Sequence, residues 1–317
     1  MQPRQTKHGF PIASDADAWK KLPALDKGVR QPLPLWARAL TDSLPRTTAA
    51  MLELDYLHRA KSPLDPKLRG MMRWTAAHVN HCAYSEAYAL ADLRRAGMDE
   101  AGIKSLGKDD SKLTTAERAA LAFARKMSEA ADTVTDAEVS QLMGHYGDRQ
   151  VTAMVLLLAY ANFQDRLLLS LGLPLERGGP LLPLDVHFKA PAPGSHVDAT
   201  PRTPPKTQPA PVPSSLADTD WFTMNFAELQ SKMQGQRARE PRVLVPSWDD
   251  VRKALPPAMA NRPPVRIRWS LVCMGYQPEL TLGWFACMRT FAEEAKQDRV
   301  FEESLFWVIT RSIHCFY

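Results

Sequence analysis

The sequence predicts an all-α fold, and three observations support this prediction. An apolar stripe with spacings of three and four residues, typical of one face of a helix, runs through the stretch from Leu64 to Gly97. Two Thr-x-x-Glu capping boxes mark helix starts further along, at Thr114 and Thr135. Residues 35–184 contain no convincing period-two alternation of the kind that half-buried strands show. The stripe consists of Leu68, Met72, Thr75, Val79, Cys82 and Glu86.

Residues 1–34 are polar and interrupted by prolines, and we interpret them as an N-terminal arm with one short helix at Asp17–Leu22. A first helical module is predicted at 35–184. Its helices are expected at 36–44, 50–57, 66–97 with a break near 81–85, 99–106, after each capping box, and from a cap at Asp148 to Gly172.

The segment at 185–217 is predicted to be an extended linker. Between Lys189 and Ala217 it contains eight prolines together with Ser, Thr and Lys. It therefore has no backbone donor at each proline and cannot bury apolar surface. A second, partial module is predicted at 218–317, with helices at 221–234, 267–276 and 280–295.

The composition excludes several classes of protein. Of 317 residues, 45% are apolar, and 40 basic against 35 acidic residues give a net charge of +5 without a basic tract, so no nucleic-acid partner is expected. The sequence has no run of eighteen apolar residues, so no membrane partner is expected. Its start lacks the apolar centre of a secretory signal. Four scattered cysteines favour a reducing, cytoplasmic location, and no spacing indicates a metal site or a cofactor.

The most distinctive residues of the opening stretch recur at the end of the chain. Trp74, His81, Cys82 and Tyr84 return in the same phase as the set Trp307, His314, Cys315 and Tyr317. Four rare residue types at one fixed offset indicate an internal repeat. Because the second copy stops within its key segment, we expect the natural protein to continue beyond Tyr317.

Three segments carry a resemblance to a known family. They are LDPKLRGMMRWTAAHVNHCAYSEAYALADLRRAG, LTTAERAALAFARKMSEA and VTAMVLLLAYANFQDRLLLSLGLP. In order and spacing they resemble the carboxymuconolactone decarboxylase family, in its alkylhydroperoxidase D (AhpD-like) branch. The resemblance implies a helical bundle, a trimer-type homo-oligomer, and thiol-based reduction of a peroxide or exchange with a thiol/disulfide electron donor. The reactive motif of that branch is Cys-x-x-Cys-x-x-x-His, with a Glu about twelve residues before the first Cys.

In the first module this motif is degenerate. Cys82 takes the first Cys position, but Ser85 replaces the second Cys, Ala89 the His and Gly70 the Glu. A lone thiol cannot close an intramolecular disulfide, so the first module is expected to be structural.

In the second module the motif is kept as far as it extends. Cys315 takes the first Cys position, and Glu303 lies twelve residues before it. The resemblance therefore assigns catalysis to Cys315 and Glu303 in the full-length protein, and predicts that this chain is inactive as it stands.

Two alternatives remain open at this point. The chain could be an inactive helical scaffold, in which Cys82, Cys273 and Cys287 only pack in the core. It could also be a cysteine-independent, decarboxylase-type member that binds an acidic lactone through polar groups. The sequence itself displays no His or Arg cluster that favours this second alternative.

Overall fold

The computed structural model describes residues 11–189, 225–260, 263–313 and 315. About 67% of these residues are helical and their one sheet has two strands, which confirms the predicted all-α class. The helices are α1 Asp15–Lys21, α2 Leu35–Leu40, α3 Pro45–Tyr56, α4 Pro66–Val79, α5 Ala83–Arg95, α6 Glu100–Ser105, α7 Thr115–Glu129, α8 Asp136–Leu171, α9 Phe226–Ala238, α10 Trp248–Ala254, α11 Pro257–Ala260, α12 Arg268–Tyr276, α13 Pro278–Glu294 and α14 Arg299–Ser312; a π-helical turn, Leu57–Lys61, follows α3, and two short strands are β1 Leu25–Gly28 and β2 Val186–Phe188.

The first core is formed by the apolar faces of α4, α5, α7 and α8. Met72, Leu93, Phe123 and Leu158 are among its buried members. Leu68 and Met72 of the predicted stripe therefore face this core, whereas Cys82 belongs to a second core cluster. Both predicted capping boxes are present. The side chains of Thr114 and Thr135 accept hydrogen bonds from the backbone N–H groups of Glu117 and Glu138, respectively. The carboxylates of these glutamates accept hydrogen bonds from the backbone N–H groups of the same threonines.

The predicted N-terminal arm is a packed part of this first region. β1 pairs antiparallel with β2, and Trp19 and Leu33 are buried in a second core cluster together with Leu184 and Val186. The first residues of the predicted linker at 185–217 thus form a strand that covers the arm. The remaining linker residues, from 190 onwards, lie outside the described residues.

The break predicted within the opening stretch is confirmed. α4 ends at Val79, His81 has a positive φ of 55°, and Cys82 is the residue that precedes α5. The thiol therefore lies at a helix start and not on the continuous helical face from which the stripe was read.

The long helix α8 has a kink at Gly147, whose φ of 71° is non-helical. This kink explains why the sequence predicts two helices here. Among the described residues α8 is also the one helix long and apolar enough to cross a membrane by length and composition. Its apolar residues, including Val151, Met154 and Leu158, are buried inside the protein, as expected of a core helix.

The second part of the chain contains the predicted helices at α12 and α13, and α9 overlaps the helix expected at 221–234. α10 and α11 were not predicted, although Ser247 caps α10 by accepting a hydrogen bond from the backbone of Asp250. α13 packs along α3, and Cys287 of α13 is buried in the same core cluster as Leu54 of α3. His314 and Tyr317, two members of the predicted repeat, lie outside the described residues.

Candidate functional site

The thiol of Cys82 is enclosed by the protein. Cys82 is only 1% exposed, and its Sγ donates a hydrogen bond to Ser85 Oγ at 3.4 Å. Burial raises the pKa of the Cys82 thiol, while the hydrogen bonds with Ser85 act in the opposite direction. A buried thiol with a raised pKa is a poor nucleophile at neutral pH, which agrees with a structural role for Cys82.

At the two other degenerate positions, Gly70 and Ala89, the helices are closely packed. A Cβ atom placed on Gly70 would lie 2.6 Å from Cδ2 and 2.7 Å from Cγ of Leu93, which is fully buried. Ala89 is also buried in the core. A Glu at position 70 would require the Leu93 side chain or α5 itself to move, so this packing disfavours the acid of the thiol motif.

The other cysteines divide into two kinds. Cys273 is partly buried and Cys287 is buried, and burial raises their pKa values to about 11 and about 12. Cys315 is exposed, and so is Glu303, which lies 3.9 Å from Arg299. The residues that the resemblance marks as catalytic thus lie on an open surface, without an enclosing pocket among the described residues.

A small cavity lies beside the degenerate motif. Its walls include Gly70, Ser85 and Ala89, together with side chains from α2, α3, the π-helical turn and α8. Its volume is about 40 Å³, enough for a carboxylate-sized group or a few waters. Leu182, which is 61% exposed, lies at its rim. The chain thus retains a cavity where the thiol motif has been lost.

Three arginines line this cavity, and two of them are paired. Arg59 binds Asp92 through its Nε and Nη2 at 3.0 Å and contacts Asp55 at 3.2 Å. Arg73 binds Asp165 through Nη2 at 2.5 Å and Nη1 at 3.1 Å, and the side chain of Asp165 is fully buried. In each pair, the attraction between opposite charges opposes the free-energy cost of removing those charges from water.

The third arginine, Arg69, is unpaired. Its guanidinium makes no hydrogen bond or ion pair to any residue within the described ranges, although it lines the cavity and is partly buried. Burial lowers its pKa, and the charge of Arg59 acts in the same direction, whereas Asp92 and Asp65 oppose both. An unpaired, partly desolvated guanidinium is a strong site for an anion, above all a carboxylate.

His58 faces the same cavity with both ring nitrogens unsatisfied. The side chain is 1% exposed, and neither Nδ1 nor Nε2 has a hydrogen-bond partner among the described residues. Burial, together with the positive charges of Arg73 and Arg69, lowers the pKa of His58 to about 3. His58 is therefore neutral at physiological pH. Because buried polar groups are normally satisfied, two open nitrogens indicate space for a polar ligand.

Tyrosines hold the walls of the cavity in place. Tyr160 stacks on His58 with ring centroids 4.5 Å apart and donates to Asp55 Oδ1 at 2.8 Å. On the opposite wall, Tyr84 donates a hydrogen bond to Glu176 and stacks on Tyr88. Burial raises the pKa of Tyr160 well above its ordinary value. All three tyrosines therefore act here as neutral hydrogen-bonding groups.

This His and Arg cluster was not predicted, because no such cluster is visible in the sequence. His58 and Arg59 come from a π-helical turn, whereas Arg69 and Arg73 come from α4, so the cluster forms only in the folded chain. One signal was available: Arg69 and Arg73 are four residues apart in an otherwise apolar helix, and such residues share a helix face.

A comparison with protein families identifies the region around this cavity. Residues 45–126 match the model of the carboxymuconolactone decarboxylase family. The chain contains a carboxymuconolactone decarboxylase family domain. No curated protein and no solved structure matches the chain significantly.

The matched region of the carboxymuconolactone decarboxylase domain extends from the start of α3 into α7. It includes His58 and all three arginines of the cavity. The remaining walls, among them Trp36 of α2 and Tyr160 of α8, come from outside the matched range. Among the described residues no group of three or more His, Cys, Asp or Glu side chains is arranged to hold a metal ion.

Proposed function

We propose that the carboxymuconolactone decarboxylase domain of this chain binds a small carboxylate-bearing molecule in the His58–Arg69 cavity and acts on it without a thiol. One observation carries the proposal: a fully buried, neutral His58 with two open nitrogens faces the same small space as the unpaired guanidinium of Arg69. This matches the cysteine-independent, decarboxylase-type alternative and favours it over an inactive scaffold.

Arg69 supplies the binding energy for the carboxylate. A guanidinium can donate two parallel hydrogen bonds to the two oxygens of a carboxylate, and removal from water strengthens the contact. Arg59 and Arg73 are already engaged by aspartates, so they do not compete for the ligand. The cavity volume of about 40 Å³ fits the carboxylate itself, with the rest of the molecule extending towards the rim at Leu182.

His58 is the candidate proton carrier. Burial, with the charges of Arg73 and Arg69, lowers its pKa to about 3. A bound carboxylate opposes the arginine charges and so raises the pKa of His58, although burial, the largest cause, remains. The ligand thus makes His58 a stronger base, which can take a proton from the substrate or return one to carbon after loss of carbon dioxide.

Binding of simple carboxylates to the full-length protein tests this proposal. Titration calorimetry with acetate, succinate and benzoate is expected to show binding that R69M abolishes. R125M, which changes an exposed arginine on α7, is the matched control and is expected to bind as the unmodified protein does. Equal binding by R69M and the unmodified protein would contradict the assignment, and so would failure of all three carboxylates to bind.

A second candidate function is thiol-dependent reduction of a peroxide, or disulfide exchange, through Cys315 and Glu303. The observation in its favour is that Cys315 is exposed and follows a helix end built like the one before Cys82. The backbone N–H of Cys315 donates to Thr310 O, and that of Cys82 donates to Ala77 O, each at 2.9 Å. A peroxidase of this kind would act in a reducing compartment such as the cytoplasm and, by family resemblance, as a trimer-type oligomer.

Peroxide consumption with a dithiol donor separates the two candidates. The thiol function predicts activity in the full-length protein that C315S removes and that C273S, at a partly buried cysteine, leaves unchanged. The carboxylate function predicts that neither substitution alters ligand binding. Peroxide consumption that is absent, or is unaffected by C315S, rules out the second candidate.

A further inference from the structure

Three helices of the second part of the chain repeat three helices of the first at one constant offset. α2 begins at Leu35 and α12 at Arg268, α3 begins at Pro45 and α13 at Pro278, and α4 and α14 span 66–79 and 299–312. Every pair of starts differs by 233, the offset that also relates Trp74 to Trp307. We call residues 34–80 the first unit and residues 267–313 the second unit.

The ends of these helices are built in the same way in both units. The side chains of Asp65 and Asp298 each accept a backbone hydrogen bond in the first turn of α4 and of α14. Thr48 Oγ1 donates to Leu44 O and Thr281 Oγ1 donates to Gln277 O, both at 2.7 Å.

The backbones that precede α3 and α13 also match. Leu44 has φ and ψ of −137° and 57°, and Gln277 has −137° and 62°. Agreement in register, caps and dihedral angles at one offset is the signature of a structural repeat.

The two units contact each other through equivalent helices, α3 and α13. A Cβ atom on Gly283 would lie 3.1 Å from Cδ1 of Leu54 and of Leu57, so the helices meet closely at this point. When two copies of one surface pair, a contact between positions i and j is accompanied by its reciprocal. The reciprocal of Gly283 with Leu54 is Ala50 with Cys287, and both of these residues belong to the core cluster around Leu54.

The charges at the two ends of this interface also follow the two-fold relation. At one end, Arg46 binds Glu293, and Glu294 accepts from the backbone N–H groups of Arg46 and Thr47 at 2.8 and 2.7 Å. The offset of 233 relates Arg46 to Glu279 and Lys61 to Glu294, whereas Glu293 corresponds to Ala60, so the contact of Glu294 is the one with a charged reciprocal.

At the other end of the interface, Lys61 and Glu279 line one small cavity. The first unit is therefore basic at both ends and the second unit acidic at both ends.

We propose that the second unit is a built-in dimer partner for the first, held by a quasi-symmetric α3–α13 interface whose charges select an unlike partner. Pairing of two first units would set Arg46 beside Lys61, and pairing of two second units would set Glu279 beside Glu294. Both arrangements place like charges together, which disfavours them relative to the pairing within the chain.

Charge reversal at both ends of the interface in the full-length protein tests this proposal. R46E and E293R are each expected to lower the urea midpoint of unfolding, and the double variant R46E/E293R is expected to recover most of the loss. K61E, E279K and K61E/E279K are expected to give the same pattern with smaller shifts, because these two side chains are exposed. The double-mutant cycle cancels each charge's own effect on the helix ends.

Recovery at the Arg46 end without recovery at the Lys61 end would overturn the selection of an unlike partner by charges at both ends, and recovery at neither end would overturn the charged interface. A disulfide measurement gives a second, independent test. Under mild oxidation A50C is expected to form a disulfide with Cys287, detected by peptide mass spectrometry. The control G144C, on an open face of α8 where an added Cβ meets no neighbour within 4 Å, is expected to form none. Equal cross-linking by the two variants, or none by A50C, would contradict the predicted reciprocal contact.

Discussion

α4 and α14 have the same length and matching caps, yet their surroundings differ completely. α4 is covered by α5, α7 and α8, and Leu68, Met72 and Trp74 are buried there. At the equivalent positions of α14, Phe301, Leu305 and Trp307 are 45% to 59% exposed. The same helix pattern therefore becomes a core or a surface according to what packs on it, since burial is a property of the assembled helices and not of one helix.

The comparison also locates the chemistry. The cavity residues His58, Arg69 and Arg73 correspond in the second unit to Phe291, Glu302 and Phe306. The cationic cluster thus exists in the first unit alone. Conversely Gly70 corresponds to Glu303, so the residue that the thiol motif needs is present only in the second unit. Each unit thus contains residues of one of the two sets to which a function is proposed above.

The largest difference between the units is expected at Arg73 and its equivalent Phe306. R73M would leave the fully buried carboxylate of Asp165 without its cation, at a cost of about 3–5 kcal/mol in the free energy of unfolding. F306M, at a side chain that is 63% exposed, is expected to change it by less than about 0.5 kcal/mol. Urea unfolding measures both. If R73M/D165L were no more stable than R73M, the unpaired charge would not be the cause.

The next difference concerns pH and His58. Its folded-state pKa of about 3 lies below the unfolded value of about 6.5, so between these values the unfolded chain binds more protons. The burial of neutral His58 therefore has no pH-dependent cost well above about pH 6.5. As the pH falls below that value it lowers the free energy of unfolding, by about 2 kcal/mol at pH 5. H58Q is expected to remove this part of the loss between pH 7 and pH 5, as measured by unfolding at both values. An identical pH dependence in H58Q and the unmodified protein would contradict the burial of a neutral His58.

A smaller effect is expected at Gly70. Alanine normally stabilises a helix relative to glycine by about 1 kcal/mol, but here its Cβ would overlap Leu93. G70A is therefore expected to destabilise the protein by about 1–2 kcal/mol, which urea unfolding would detect. The control G144A, on an open face of α8, is expected to stabilise it. Stabilisation by G70A would show that α4 and α5 are not in close contact at this point.

The smallest effect is expected at Ser85, where one side-chain atom, oxygen in place of sulfur, separates the Cys82 motif from a thiol pair. Cys82 Sγ lies 3.4 Å from Ser85 Oγ, so S85C is expected to form a disulfide with Cys82 after mild oxidation, seen by mass spectrometry. The variant is still expected to lack peroxidase activity, because Gly70 and Ala89 supply no acid or base. Peroxide consumption by S85C would show that a thiol pair alone is sufficient in this site.

The fold was largely predictable because local signals agree with tertiary packing. The capping boxes at Thr114 and Thr135, the break at Cys82 and the kink at Gly147 all leave direct marks in the sequence. β1 and β2 were missed because each is only three or four residues long and they pair across most of the first region. The degeneracy of the Cys82 motif was also evident from the sequence.

The cavity was not predictable, for a physical reason. His58 and Arg69 are eleven residues apart and approach each other only because the π-helical turn redirects the chain between α3 and α4. Arg69 is recognisable as unpaired only when the partners of Arg59 and Arg73 are known. A site defined by which charges lack a partner cannot be derived from a list of charged residues.

The most direct test of the His58–Arg69 cavity is the titration of His58 by nitrogen-15 NMR, with and without a saturating carboxylate. In the free protein His58 is expected to remain neutral down to pH 5, in agreement with a pKa of about 3. With the carboxylate bound, its pKa is expected to rise by at least one unit, and R69M is expected to abolish the rise. A His58 that titrates near 6.5 in the free protein, or one whose pKa is the same with and without the carboxylate, would contradict the account.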